Sequence, residues 1–284
     1  MMWKERYKVG IKLVDTQHKQ LFDTSEKLIH ILESEDAQAK KQECKKVIIF
    51  LKDYAVNHFA EEEGYMLSTN YSDIERHKIL HKVFINTVHA LEKKLIDSDF
   101  PIETIKEVVG FLTTWFIYHI AKVDQQLGKA EKIADDKAET KSSYLDCFAQ
   151  SVKNVLDMMV GISADNISYD PYPASKDDIF VKIGLIGDYH GDAVFTFSKK
   201  ITLGLIKAMT SIDLSEIDEL AYSALREITN IISGNASALI SASGKVSDIK
   251  PPEIITDYEG VSDKNAFYFD TQLGCLAISV NVCQ

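Results

Sequence analysis

His77 and His81 stand four residues apart, and so do His58 and Glu62. On a helix that spacing puts both members of a pair on one face, about one turn apart. His18 lies upstream of these pairs, and His119 and Asp124 lie downstream. If each group occupies its own helix, four helices each present at least one imidazole or carboxylate. Such a set, with no cysteine in it, suits iron or another first-row divalent metal. Carboxylates can bridge two ions, and bundles build dimetal centres from inward side chains on facing helices. The interval from His119 to Asp124 fits less easily, because five residues advance about 500° and leave the side chains about 140° apart. Either the ions sit across the groove from one another, or the helix widens into a π-turn there. His30, His89 and His190 read as structural or surface residues, and Glu61 and Glu63 as solvated neighbours of Glu62. Five histidines and two carboxylates buried together without a metal would be strongly unfavourable.

A second pattern lies in Glu219–Ser241, where Ser223, Glu227 and Asn230 follow at intervals of four and three. Those intervals place all three on one helix face. An amide can orient a water and a carboxylate can anchor a cationic partner, although a solvated helix face produces the same pattern by chance.

The elements that must position these residues fall into two halves. The N-terminal part has one proline, Pro101, and long stretches with apolar residues at helical spacing, such as Leu21, Leu28 and Ile31, or Ile79, Val83 and Leu91. Helices are expected near 16–34, 39–68, 73–97 and 102–133, with Ser72–Glu75 as a capping box for the third. Short connections make this an all-α, up-down four-helix bundle over residues 1–134. Residues 135–143 read as a polar linker. Residues 144–284 hold four of the five prolines and nine of the 13 glycines. Strands are expected over Ile179–Ile186, Ala193–Phe197, Ala266–Asp270 and Leu276–Val282, and helices near 144–161, 200–211 and 215–240, the last opened by Ser215–Asp218. This second domain is α/β, with a mixed or antiparallel sheet.

The net charge of −11 lies almost wholly in the second half, and no basic stripe is present, which argues against nucleic acid as a partner. No run approaches the roughly 18 apolar residues of a membrane span, and the opening residues do not read as a signal peptide. A cytoplasmic protein with reduced cysteines is the expectation.

The order Asp15-Thr-Gln-His18, His58-x3-Glu62, His77-x3-His81 and His119-x4-Asp124 resembles the bacterial hemerythrins across residues 1–134. The resemblance implies two non-haem irons: His77, His81 and His119 on one, and His18 and His58 on the other. Glu62, Asp124 and an oxo or hydroxo group would bridge them, and the second iron would keep an open position for dioxygen. Leu21, Phe59, Trp115, Phe116 and Ile120 flank the ligands in sequence and match the family's dry oxygen pocket. Ser223, Glu227 and Asn230, with Asp248–Thr256 and the strand pair around Gly184–Gly187 and Gly191–Val194, resemble the CheX branch of the CheC/CheX/FliY phosphatases over residues 143–284. That implies hydrolysis of the aspartyl phosphate of a CheY-like receiver, which supplies its own Mg²⁺. Asn230 would hold the water, Glu227 would pair with a receiver lysine, and Ser223 would sit at the edge of the contact. A homodimer through this domain is also implied. The combined expectation is an oxygen- or redox-sensing phosphatase, with signals passing from His119 and Asp124 along the fourth helix and linker. An oxygen carrier with an adaptor domain, or a diiron peroxide or nitric oxide reductase, are the alternatives.

Overall fold

A computed structural model describes residues 3–129, 144–164, 166–170, 172–242, 244–255 and 266–283. The chain divides into two compact units, Met1–Asp136 and Lys137–Gln284. The linker expected at 135–143 lies outside the described residues.

In the first unit, helices α1 (Lys12–Glu33), α2 (Ala37–Ser68), α3 (Ile74–Asp97) and α4 (Ile102–Tyr118) form a closed ring of neighbours. α1 packs on α2 and α4, and α3 on α2 and α4. This is the four-helix bundle, with Phe22, Leu51, Phe84 and Leu95 fully buried at its centre. α2 begins at Asp36, whose carboxylate accepts from the amides of Gln38 and Ala39. The expected Ser72 cap is not used. α3 starts one residue past Asp73, and neither side chain caps it. Ile79 and Val83, expected on the apolar face of α3, are 58% and 42% exposed; that face is instead His77, His81, Phe84, Val88 and Leu91.

α4 is buried along nearly its whole length and stops as an α-helix at Tyr118, well before the expected residue 133. A π-turn covers His119–Val123, and a tight 3₁₀ stretch, Asp124–Lys129, follows. The amide of Asp124 donates to the carbonyl of His119, five residues back. The extra residue in that turn re-aims Asp124, which resolves the awkward interval. The N-terminal arm holds this turn in place. Gln125 donates to the Lys8 carbonyl at 2.7 Å, and Val9, Val14, Met66 and Leu127 form a small core. Gly128 permits the approach, since a Cβ there would run into the Val9 carbonyl.

The second unit is an antiparallel sheet with helices. Its strands are β1 (Ile167–Ser168), β2 (Ile179–Gly187), β3 (His190–Phe197), β4 (Ser247–Ile249), β5 (Glu253–Ile255), β6 (Ala266–Thr271) and β7 (Gly274–Cys283). Their order is β1-β6-β7-β3-β2-β4, with β5 also on β2. Every ladder is antiparallel. Pro251 and Pro252 fall between β4 and β5, where missing amides would break a continuous ladder. Helices α5 (Tyr144–Val160), α6 (Lys199–Thr210) and α7 (Glu219–Ala242) complete the unit. α5 and α7 pack together, and α7 lies on β2 and β4. α7 is capped by Asp218, which accepts from the amides of Leu220 and Ala221, rather than by Ser215.

Among the described residues no helix is long and apolar enough to cross a membrane. All four cysteines are free; Cys44 and Cys147 are buried, whereas Cys275 is partly exposed and Cys283 exposed.

Candidate functional site

His18, His58, Glu62, His77, His81, His119 and Asp124 meet in the bundle interior, each no more than 1% exposed. Two groups share one member: Glu62, His77, His81 and His119 form one, and His18, His58 and Glu62 the other. Glu62 Oε2 lies 3.2 Å from His81 Nε2, 3.6 Å from His77 Nε2 and 3.7 Å from His58 Nε2. Asp124 divides its oxygens. Oδ1 faces His119 Nε2 at 3.1 Å and His77 Nε2 at 3.3 Å, and Oδ2 faces His18 Nε2 at 3.1 Å. Ligand atoms about 2.1 Å from a common ion stand roughly 3 Å apart at right angles, so these separations suit two coordination spheres.

The electrostatics demand positive charge. His81 Nε2 and His119 Nε2 converge to 3.2 Å, which places two lone pairs at one point unless a proton or a cation lies between. Burial lowers His58 to about 3 and His119 to about 4, so both are neutral imidazoles, the form that binds metal. Desolvation acts to raise Glu62 and Asp124, and their repulsion acts the same way on Glu62. Contacts with the surrounding histidines outweigh both effects and hold the two carboxyls below the usual range, so they stay ionised. Desolvation opposes the charging of His77, yet the Asp124 and Glu62 carboxylates that face its Nε2 hold it up at about 9. A proton on His77 thus supplies the charge that a cation would supply better. The residues fit a metal pair.

This sets a pH optimum for the metal-free protein. His77 stabilises the fold below its ordinary 6.5, and that contribution is lost as pH rises through 9. His58 and His119 stabilise it above 6.5, and their contributions are lost as pH falls toward 4 and 3. Thermal melts of chelator-treated protein are expected to peak near the ordinary value of 6.5, with the alkaline fall abolished by metal.

Three side chains outside the ligand set orient it. Glu63, expected to be merely solvated, lies with Oε1 3.0 Å from His81 Nδ1. Gln17 Oε1 lies 2.9 Å from His58 Nδ1, and Gln17 Nε2 donates to Glu61 at 2.7 Å. One histidine of each group is therefore backed by a carboxylate, directly at His81 and through an amide at His58. Such partners fix the tautomer and strengthen the ligand. Glu63→Gln is expected to weaken metal retention about 10- to 100-fold in chelator competition. Gln17 sat unassigned inside a quoted motif, whereas Glu61 and Glu63 reach across helices and leave no local spacing signal. His30 and His89 lie on the surface beside Glu33 and Glu92, and His190 is exposed.

On α7, Glu227 and Asn230 are partly exposed and Ser223 is buried at 6%. Ser223 is thus set back from the face that the other two share. Desolvation raises the Glu227 carboxyl, against a hydrogen bond from the Asn230 side chain. Arg226, beside them, is ion-paired to Glu219.

Residues 9–130 match the model of the hemerythrin HHE cation binding domain. The bacteriohemerythrin of Clostridium acetobutylicum is 34% identical over 125 residues, which is 44% of this chain and 96% of that protein. The chain belongs to the hemerythrin family. Membership implies non-haem iron in the histidine and carboxylate cluster. Residues 179–269 match the model of the chemotaxis phosphatase CheX, so the hemerythrin domain is fused to a CheX domain. A chemotaxis CheX structure from Desulfovibrio desulfuricans is 27% identical, with TM-score 0.42, covering 49% of this chain and 97% of that one. The CheX of a CheX-CheY-BeF₃-Mg complex from Borrelia burgdorferi is 21% identical, with TM-score 0.43, covering 50% and 99%.

Within the hemerythrin domain, the expected pocket residues divide. Phe59 stacks on His81 with ring centroids 3.8 Å apart, and Trp115 on His119 at 4.1 Å. Both therefore wall the three-histidine group. Leu21, Phe116 and Ile120 are buried at 1% or less. Against His58 of the two-histidine group lie Tyr54, at 4.6 Å, and Phe59, at 5.7 Å. Tyr54's position, four residues before His58, was the signal that could have found it.

Proposed function

We propose that the hemerythrin domain holds two irons and reports oxygen or redox state to the CheX domain, which hydrolyses the aspartyl phosphate of a CheY-like receiver. The observation that supports it is the sharing of Glu62 and Asp124 between a three-histidine and a two-histidine group, in a chain that also carries the Glu227–Asn230 face. His77, His81 and His119 would hold one ion, His18 and His58 the other, and the two carboxylates both. When bound, the iron pair supplies reversible electron transfer to dioxygen. The protein's part is to keep the ligands deprotonated and water out, through burial, Phe59, Trp115 and the backing of Glu63 and Gln17.

On the phosphatase side the receiver brings the phosphoryl group and its Mg²⁺. Asn230 orients the attacking water in line, and Glu227 anchors the docked helix by pairing with a receiver lysine. No protein nucleophile is required, because positioning and charge neutralisation carry phosphoryl transfer. The chain acts in the cytoplasm, where receivers work, and pairs through its CheX domain. The test is twofold: iron analysis with spectra of the reduced protein as oxygen is added and removed, and phosphate release from an acyl-phosphorylated receiver. Two irons per chain with a reversible spectral change and receiver turnover are expected. Irreversible oxidation without turnover would refute this reading.

A further inference from the structure

The two histidine groups differ in what surrounds them. Phe59 and Trp115 stack on His81 and His119 of the three-histidine group, and Tyr71 lies edge-on to His77 at 6.3 Å. Beside the two-histidine group, Tyr54 brings a hydroxyl. Its ring lies 4.6 Å from that of His58, tilted by 33°, and the side chain is 7% exposed. The hydroxyl is buried with no hydrogen-bond partner among the described residues. A buried hydroxyl without a partner is unfavourable by about 1–3 kcal/mol, so its retention calls for an acceptor. The carboxylates of Glu62, Asp124 and Glu61 are near enough to act on it electrostatically.

We propose that Tyr54 is a ligand-binding residue whose hydroxyl donates a hydrogen bond to a small electron-rich ligand, dioxygen or a pseudohalide anion, taken up on the His18–His58 side. This rests on the proposed diiron reading and adds the residue that makes one side of the pair selective for such ligands. Tyr54 lies on α2 one turn before His58 and supplies no metal ligand. The other ring near Tyr54, Phe50 at 5.8 Å, offers the hydroxyl no acceptor.

Tyr54→Phe keeps the ring and removes the hydroxyl alone. The probe is azide, titrated into iron-loaded, oxidised wild-type and variant protein and followed by its charge-transfer absorption and by the azide stretch in H₂O and D₂O. The wild type is expected to show a D₂O-sensitive stretch. Y54F is expected to keep its iron and to melt, metal-free, no lower than wild type. It should bind azide about tenfold to a hundredfold more weakly, with the D₂O effect gone. Equal azide affinity in iron-loaded Y54F would overturn this inference and leave the diiron reading intact. So would a tyrosinate-to-iron band present in wild type and lost in the variant, since Tyr54 would then be a metal ligand. A wild-type protein that takes up no iron, or takes up iron but no azide, would overturn both.

Discussion

Glu62→Met is expected to empty the bundle of iron and, at the same time, to destabilise the metal-free protein. Glu62 is the member common to both groups and is fully buried. Losing it removes a ligand from each proposed iron, so iron per chain should fall from two to below about a tenth of that. The stability of the metal-free protein is expected to fall as well. The histidines around Glu62 hold its carboxyl below the usual range, so its charge favours the folded state at neutral pH. Methionine matches its length and its preference for helix, so packing changes little. His77, held charged at about 9, loses one of its two carboxylate partners, although Asp124 Oδ1 remains 3.3 Å away. Removing one partner of a buried charge is destabilising, here by up to about 3 kcal/mol because the second partner stays. Melts in chelator and iron analysis read both effects. A variant that keeps two irons, or a metal-free variant more stable than wild type, would contradict this role for Glu62.

Asn230→Ala is expected to lower receiver dephosphorylation about a hundredfold or more without disturbing the fold. Orientation of a water is a large term where no covalent chemistry is done, and the Asn230 amide is the water-holding group in the proposed mechanism. Asn230 is partly exposed on α7, so shortening it opens no core cavity. Glu227→Gln should instead weaken receiver binding, since it removes the charge that anchors the partner. The two variants should therefore separate in kinetics, one in kcat and the other in KM. A full rate in Asn230→Ala would rule out water orientation by this residue.

The candidate ligands were legible because metal chemistry on helices leaves a spacing signature. His58 with Glu62 and His77 with His81 stand one turn apart, and the structure brings them together with His18, His119 and Asp124. Even the awkward interval was informative, since it left two arrangements open, and His119–Val123 adopts one of them, the π-turn. What stayed hidden depends on register between elements far apart in sequence. Glu63 meets His81 across 18 residues, and Gln17 meets Glu61 across 44. Local reading placed Glu61 and Glu63 in solvent because only Glu62 shares a face with His58. β4 and β5 escaped for a different reason, being three residues each on either side of two prolines. Helix starts were misassigned where two acceptors competed: Asp218 lies nearer the first free amides of α7 than Ser215 does.

The central claim, that iron state sets phosphatase rate, is tested most directly by following acyl-phosphate loss from a receiver with the fully reduced, iron-loaded protein, before and after oxygen is admitted, with Asn230→Ala as the blank. The account predicts rates that differ severalfold between the two iron states and a blank that responds to neither. Equal rates in both states, with iron and oxygen binding verified in the same sample, would contradict it.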